Sequence, residues 1–92
     1  MSESPTRVHL ATGLIWRTVD SDAVIVAPQT GSVRVLNGIG SKIWQLISEG
    51  KDLPQIVSYL VDHYQVPWEE AQIDLHEFLT DLQARGLIFW EP

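Results

Sequence analysis

The chain has no cysteine, which excludes disulfides, thiolate metal sites and a cysteine nucleophile. It is also short of positive charge: six Lys and Arg stand against twelve Asp and Glu, for a formal net charge of −6. That surplus sets up a repulsive field toward polyphosphates, so nucleic acid and anionic membranes are disfavoured and a peptide or protein is the expected partner. No apolar run is long enough to span a membrane and no signal peptide opens the sequence, so the expected location is the cytoplasm. Catalytic motifs are missing too. His9, His63 and His76 sit in separate segments with no H-E-x-x-H, G-x-S-x-G or paired-ligand spacing. Without convergent polar groups, no enzymatic activity, metal or other cofactor is expected.

What the chain does have is 45% apolar side chains in 92 residues, enough for one small, modestly stable domain. It is organised around Ala23 to Ile47. Val24-Ile25-Val26-Ala27 and Ser32-Val33-Arg34-Val35-Leu36 have the β-branched composition of strands, and Pro28-Gln29-Thr30-Gly31 supplies a turn between them. Asn37 is a candidate N-cap. Ile39, Ile43, Trp44 and Ile47 then recur at helical spacing, so the period switches from 2 to 3.6 within a few residues. Gly38 and Gly40 lie between strand and helix as phosphate-binding glycines do, but position 43 is isoleucine and no G-K-[ST] follows. A glycine pair that brings the helix start close to the sheet is the reading preferred here.

Upstream, residues 1–12 are polar and aperiodic and read as a flexible arm, although Val8 and Leu10 offer side chains for docking. Residues 13–92 form the domain. Leu14 to Val19 reads as a first strand and Asp20-Ser21-Asp22 as a hairpin turn, giving a three-stranded meander with its second strand in the middle and its first and third at the edges. Downstream, Gly50 closes the first helix, and Asp52 with Gln55 forms a capping-box start for a second helix running to about His63. Pro67 opens a third helix of about 18 residues that Arg85-Gly86 ends. The apolar Leu87-Ile88-Phe89-Trp90 packs as a short strand or against the helices.

The third helix carries two stripes. Trp68, Ala71, Leu75, Phe78, Leu79 and Leu82 form an apolar one, and Glu70, Asp74, Glu77 and Asp81 an acidic one beside it. Such a helix is either a core helix with a solvated side or one wall of a groove. The expected fold is α+β and winged helix-turn-helix-like: a three-stranded antiparallel sheet followed by three helices. Domains of that kind often read DNA, but a third helix with Glu69, Glu70, Asp74, Glu77 and Asp81 against the terminal Arg85 repels phosphate.

Leu36-Asn37, Gly40, Ile43-Trp44-x-Leu46, Gly50, Ile56-Val57, Tyr64-x-Val66 and Phe78-Leu79-x-x-Leu82-x-x-Arg85-Gly86-Leu87-Ile88, in this order, resemble the PqqD family of peptide-recognition domains from pathways that modify ribosomally made peptides. The resemblance runs from about Leu14 to Ile88. The family often has Asp or Ser where Pro67 stands and aromatic residues where Val33 and Val35 stand; the second difference suggests a shallower, aliphatic groove. The resemblance implies a non-catalytic domain that binds the leader segment of a precursor peptide and presents it to a processing enzyme. The leader would add as a strand along the third strand, beside the third helix, with alternate side chains entering the groove. The candidate peptide-binding residues are Val33, Arg34, Val35, Leu36, Asp74, Leu75, Glu77, Phe78, Asp81 and Leu82. Val33, Val35, Leu75, Phe78 and Leu82 are the expected floor, and the acidic stripe is the rim. A chain of this length would act in trans, with the leader peptidase of a lasso-peptide pathway as the favoured partner. The alternatives are a chaperone for a radical peptide-modifying enzyme and a winged-helix regulator or structural adaptor.

Overall fold

The computed structural model describes residues 7–91. Three strands, β2 (Ile15–Val19), β3 (Asp22–Ala27) and β4 (Ser32–Leu36), form an antiparallel sheet in the order β2-β3-β4. They precede three helices, α1 (Gly38–Ser48), α2 (Leu53–Tyr64) and α3 (Trp68–Ala84). The α+β class and the order of strands before helices agree with expectation.

Local sequence accounts for the joints. Asp20 takes φ +56° in the two-residue turn between Val19 and Asp22. Gly31 takes φ +73° and its N–H donates to the Ala27 carbonyl at 2.9 Å, closing the second hairpin. Asn37 sits at the N-cap of α1 in extended conformation, as expected, but its side chain makes no capping bond. At the other end Gly50 adopts φ +86°, its N–H bonded to Ile47 and that of Lys51 to Leu46, the paired bonds of a Schellman stop. Gly86 ends α3 in the same way. Asp52 and Gln55 form the expected capping box, each side chain accepting from the other's backbone at 2.9 Å.

A second, two-stranded sheet is the departure from expectation. β1 (Val8–Leu10) pairs antiparallel with β5 (Ile88–Trp90), Val8 opposite Trp90 and Leu10 opposite Ile88. The flexible arm expected over residues 1–12 is therefore a docked strand at Val8–Leu10, with Val8 fully buried; residues 1–6 lie outside the described residues. The apolar Leu87–Trp90 stretch is covered in part here: Leu87 and Ile88 are buried and Trp90 half-buried, while Phe89 stays exposed.

The core lies between the helices and one face of the β2-β3-β4 sheet. Ala23, Ile25 and Leu36 from the sheet meet Trp44, Ile56, Leu79 and Leu82 from the helices, all buried. Trp16 lies edge-on to Trp44 at 6.0 Å between ring centroids. The opposite sheet face is aliphatic and open: Ile15, Val19, Val33 and Val35 are exposed and Val24 and Val26 half-buried.

Candidate functional site

β4 is an edge strand, and among the described residues no strand pairs with its outer side. Because side chains alternate along a strand, the four candidates on it divide into two pairs. Arg34 and Leu36 lie opposite Ile25 and Ala23 and share their covered face. Val33 and Val35, opposite Val26 and Val24, point to the open face and are 63% and 48% exposed. The expected floor is thus corrected: the two valines lie on the far side of the sheet from α3. It is Arg34 that reaches the helix.

That contact is an ion pair. Arg34 Nη2 donates to Asp81 Oδ2 at 3.1 Å, and Arg85 Nε, one turn along α3, reaches the same oxygen at 3.1 Å. Asp81 is therefore shared by two guanidinium groups, and the acidic stripe is neutralised at this end. Arg34 Nε is buried and meets no acceptor among the described residues. A recess of about 170 Å³, lined by Arg34, Arg85, Ile25, Ser32, Val33 and Leu87, lies beside the pair.

Toward the other end of β4, α3 presents Phe78, half-buried and packed against the start of α1. A Cβ built at Gly40 would sit 3.1 Å from the Phe78 ring, so a glycine here gives the aromatic ring its place. Gly38, by contrast, has open space and needs glycine for its φ of +51°. Phe78, Asp74 and Leu75 line a largely apolar cavity of about 200 Å³ together with Ile39, Ile43 and Tyr64. Ile39 and Tyr64, 46% and 38% exposed, are cavity-lining residues that the candidate set read from the sequence does not include. Their positions at the ends of the apolar stripes of α1 and α2, beyond the last buried turn, were the available signal.

The other α3 candidates separate. Leu75 and Leu82 are closed into the core at 2% and 0% exposure and support the wall from beneath; of the two, only Leu75 also borders the cavity beside Phe78. Glu77 lies off this surface and lines a larger cavity of about 580 Å³ between α2 and α3, along with the exposed Trp68 and Ile73. Asp74 is exposed. The structure thus assembles Arg34, Asp81, Asp74 and Phe78 along the gap between the β4 edge and α3 and leaves Glu77 and Val35 outside it, while Val33 turns to the open face and borders only the recess beside Arg34.

Elsewhere, His9 bonds Glu91 at 3.1 Å and His63 stacks on Tyr59 at 3.8 Å. Among the described residues no group of three or more His, Cys, Asp or Glu is placed to hold a metal ion, and no helix is long and apolar enough to cross a membrane.

Two solved structures resemble the chain over most of its length. "TbiB1 in Complex with the TbiA(beta) Leader Peptide" is 30% identical with a TM-score of 0.84, over 87% of this chain and 93% of that one. "Lasso peptide synthetase B1 complexed with the leader peptide" has a TM-score of 0.83 over 90% of this chain and 98% of that one; at 20% identity it speaks for the fold alone. No curated protein matches the sequence. Residues 22–88 match the family described as Coenzyme PQQ synthesis protein D (PqqD), and the chain belongs to that family.

Proposed function

We propose that this protein is a non-catalytic recognition domain that binds the leader segment of a ribosomally made precursor peptide and delivers it to a processing enzyme in the cytoplasm. The observation that carries the proposal is an unpaired β4 edge with α3 standing beside it, bridged by the Arg34–Asp81 pair and ending at the Phe78 cavity. An extended peptide adding to that edge gains main-chain hydrogen bonds from β4, and every second side chain turns toward α3. Arg34, Leu36, Asp74, Phe78 and Asp81 then contact the inward-facing residues, with Leu75 and Leu82 as support. Val33 and Val35 flank the outward-facing ones. The structure that is 30% identical is a complex with a leader peptide, which favours the same ligand class here.

A leader peptidase of a lasso-peptide pathway is the favoured recipient. The match to Coenzyme PQQ synthesis protein D favours, as a second reading, a chaperone for a radical peptide-modifying enzyme. Neighbouring genes for a short precursor, a transglutaminase-like peptidase and an asparagine-synthetase-like cyclase would select the first. We also read the sheet and three helices as winged-helix-turn-helix-like. Glu69, Glu70, Asp74, Glu77 and Asp81 on α3, with a net charge of −6, weigh against nucleic acid as the ligand. A calorimetric titration with the leader encoded beside the gene tests the proposal. Saturable one-to-one binding is expected, and an inert leader would overturn it.

A further inference from the structure

The gap between β4 and α3 is electrostatically uneven. At one end stands the exposed Asp74, beside the apolar Phe78 cavity. At the other, two arginines surround one aspartate. A guanidinium carries about five N–H donors and a carboxylate about four acceptor sites, so Arg34 and Arg85 around Asp81 leave donors unused and one positive charge in excess. The bonds agree with that count. Arg85 holds both Asp81 oxygens through Nε, at 3.2 and 3.1 Å, while Arg34 spends one Nη2 bond on Asp81 and its buried Nε has no acceptor among the described residues. A desolvated donor without a partner is unfavourable, and buried polar groups in native proteins rarely stay so.

Resting on the proposed strand addition, we infer that Arg34, backed by Arg85, is a specificity-determining residue that selects an Asp or Glu on the bound leader. The register supplies the geometry. Arg34 turns toward α3, so a strand added to β4 places an inward-facing residue beside it, with Cβ atoms about 4.5–5.5 Å apart. A carboxylate there meets the free edge of the Arg34 guanidinium at the mouth of the recess lined by Arg34 and Arg85. A charge-assisted bond forms in a partly desolvated site, where it is stronger than in open solvent. Asp81 acts as a positioning residue that holds both guanidinium groups toward the gap. The leader preference this predicts, an acid at the Arg34 end, is opposite in sign to the one an unbroken acidic rim would impose.

The test is a coupling measurement with the synthetic leader of the precursor encoded beside the gene, each Asp and Glu changed in turn to Asn or Gln. One change is expected to weaken binding to the wild-type protein by about tenfold and to have little further effect on Arg34→Gln. Arg85→Gln, on an exposed side chain, is the second variant and should show the same coupling to a smaller degree, so the test survives if Arg34→Gln fails to fold. Arg34→Lys should retain part of the preference through charge alone. The inference is overturned if the leader binds but every acid-to-amide change costs the same in wild type, Arg34→Gln and Arg85→Gln, or if the bound leader has no acid. A leader that does not bind at all overturns the proposed function, and this inference with it.

Discussion

Among the described residues the sheet has two open edges, β2 and β4, alike in nearly every property that composition describes. Each is a five-residue strand, and each turns two exposed aliphatic side chains to the open face, Ile15 and Val19 on β2 and Val33 and Val35 on β4. Each also carries one arginine. The arginines separate them: Arg17 lies opposite Val24 and points to the open face, whereas Arg34 lies opposite Ile25 and reaches across to Asp81. β2 turns Trp16 inward against Trp44, and that side of the edge is filled. β4 has α3 set beside it, with a recess at one end and a cavity at the other. An unpaired edge supplies affinity for any extended peptide; the adjoining wall supplies side-chain selection. On this account only β4 is a recognition site.

The largest effect that would break the comparison comes from proline. Arg34→Pro or Val35→Pro, whichever removes the N–H facing away from β3, should lower leader affinity by about a hundredfold or more, while Arg17→Pro on β2 leaves it near wild type. Titration of variants whose circular dichroism remains native decides between the edges, and loss of binding only in Arg17→Pro would reverse the assignment. Next comes the wall. Phe78→Ala should weaken binding by about tenfold and destabilise the fold by about 2 kcal/mol, less than a fully buried Phe because the ring is half-buried; chemical denaturation and titration measure the two separately. Gly40→Ala, which sets a methyl 3.1 Å from that ring, should reduce affinity several-fold by displacing it. The control is Asp52→Ala, expected to cost about 1 kcal/mol of stability through the lost cap and to leave the affinity of the folded protein unchanged.

The smallest effects lie in the acidic stripe. Asp74→Asn should change binding of a leader that is basic at the Phe78 end by about twofold and flatten its salt dependence, as partly exposed charge pairs do. Glu77→Gln should change neither, because Glu77 lines the cavity between α2 and α3. Equal effects from the two variants would mean that the stripe acts as one field.

What the sequence disclosed follows from how local each feature is. The Asp52–Gln55 capping box, the Gly50 and Gly86 stops and the Gly31 turn are decided within a few residues, and all are readable. The pairing of β1 with β5 joins residues about 80 positions apart through two three-residue strands, too short to show a period of two. On β4, alternation shows that Arg34 and Leu36 share a face, but β3 is apolar on both sides, so the pattern does not reveal which face the helices cover. Charge then misleads: Arg34 belongs on the covered face only because Asp81, 47 residues later, receives it. For the same reason the acidic stripe reads as a uniform rim in one dimension and is divided in three, with Asp81 neutralised, Asp74 exposed and Glu77 directed to a different cavity.

The central claim is that a leader occupies the β4 edge and spares β2. Amide hydrogen exchange followed by NMR, with and without the leader, tests it most directly, since pairing with an added strand slows exchange of the N–H groups it engages. The account predicts that alternate amides within Ser32–Leu36 gain protection by about tenfold or more while those of Ile15–Val19 are unchanged. Protection gained along Ile15–Val19, with Ser32–Leu36 unaffected, would contradict it.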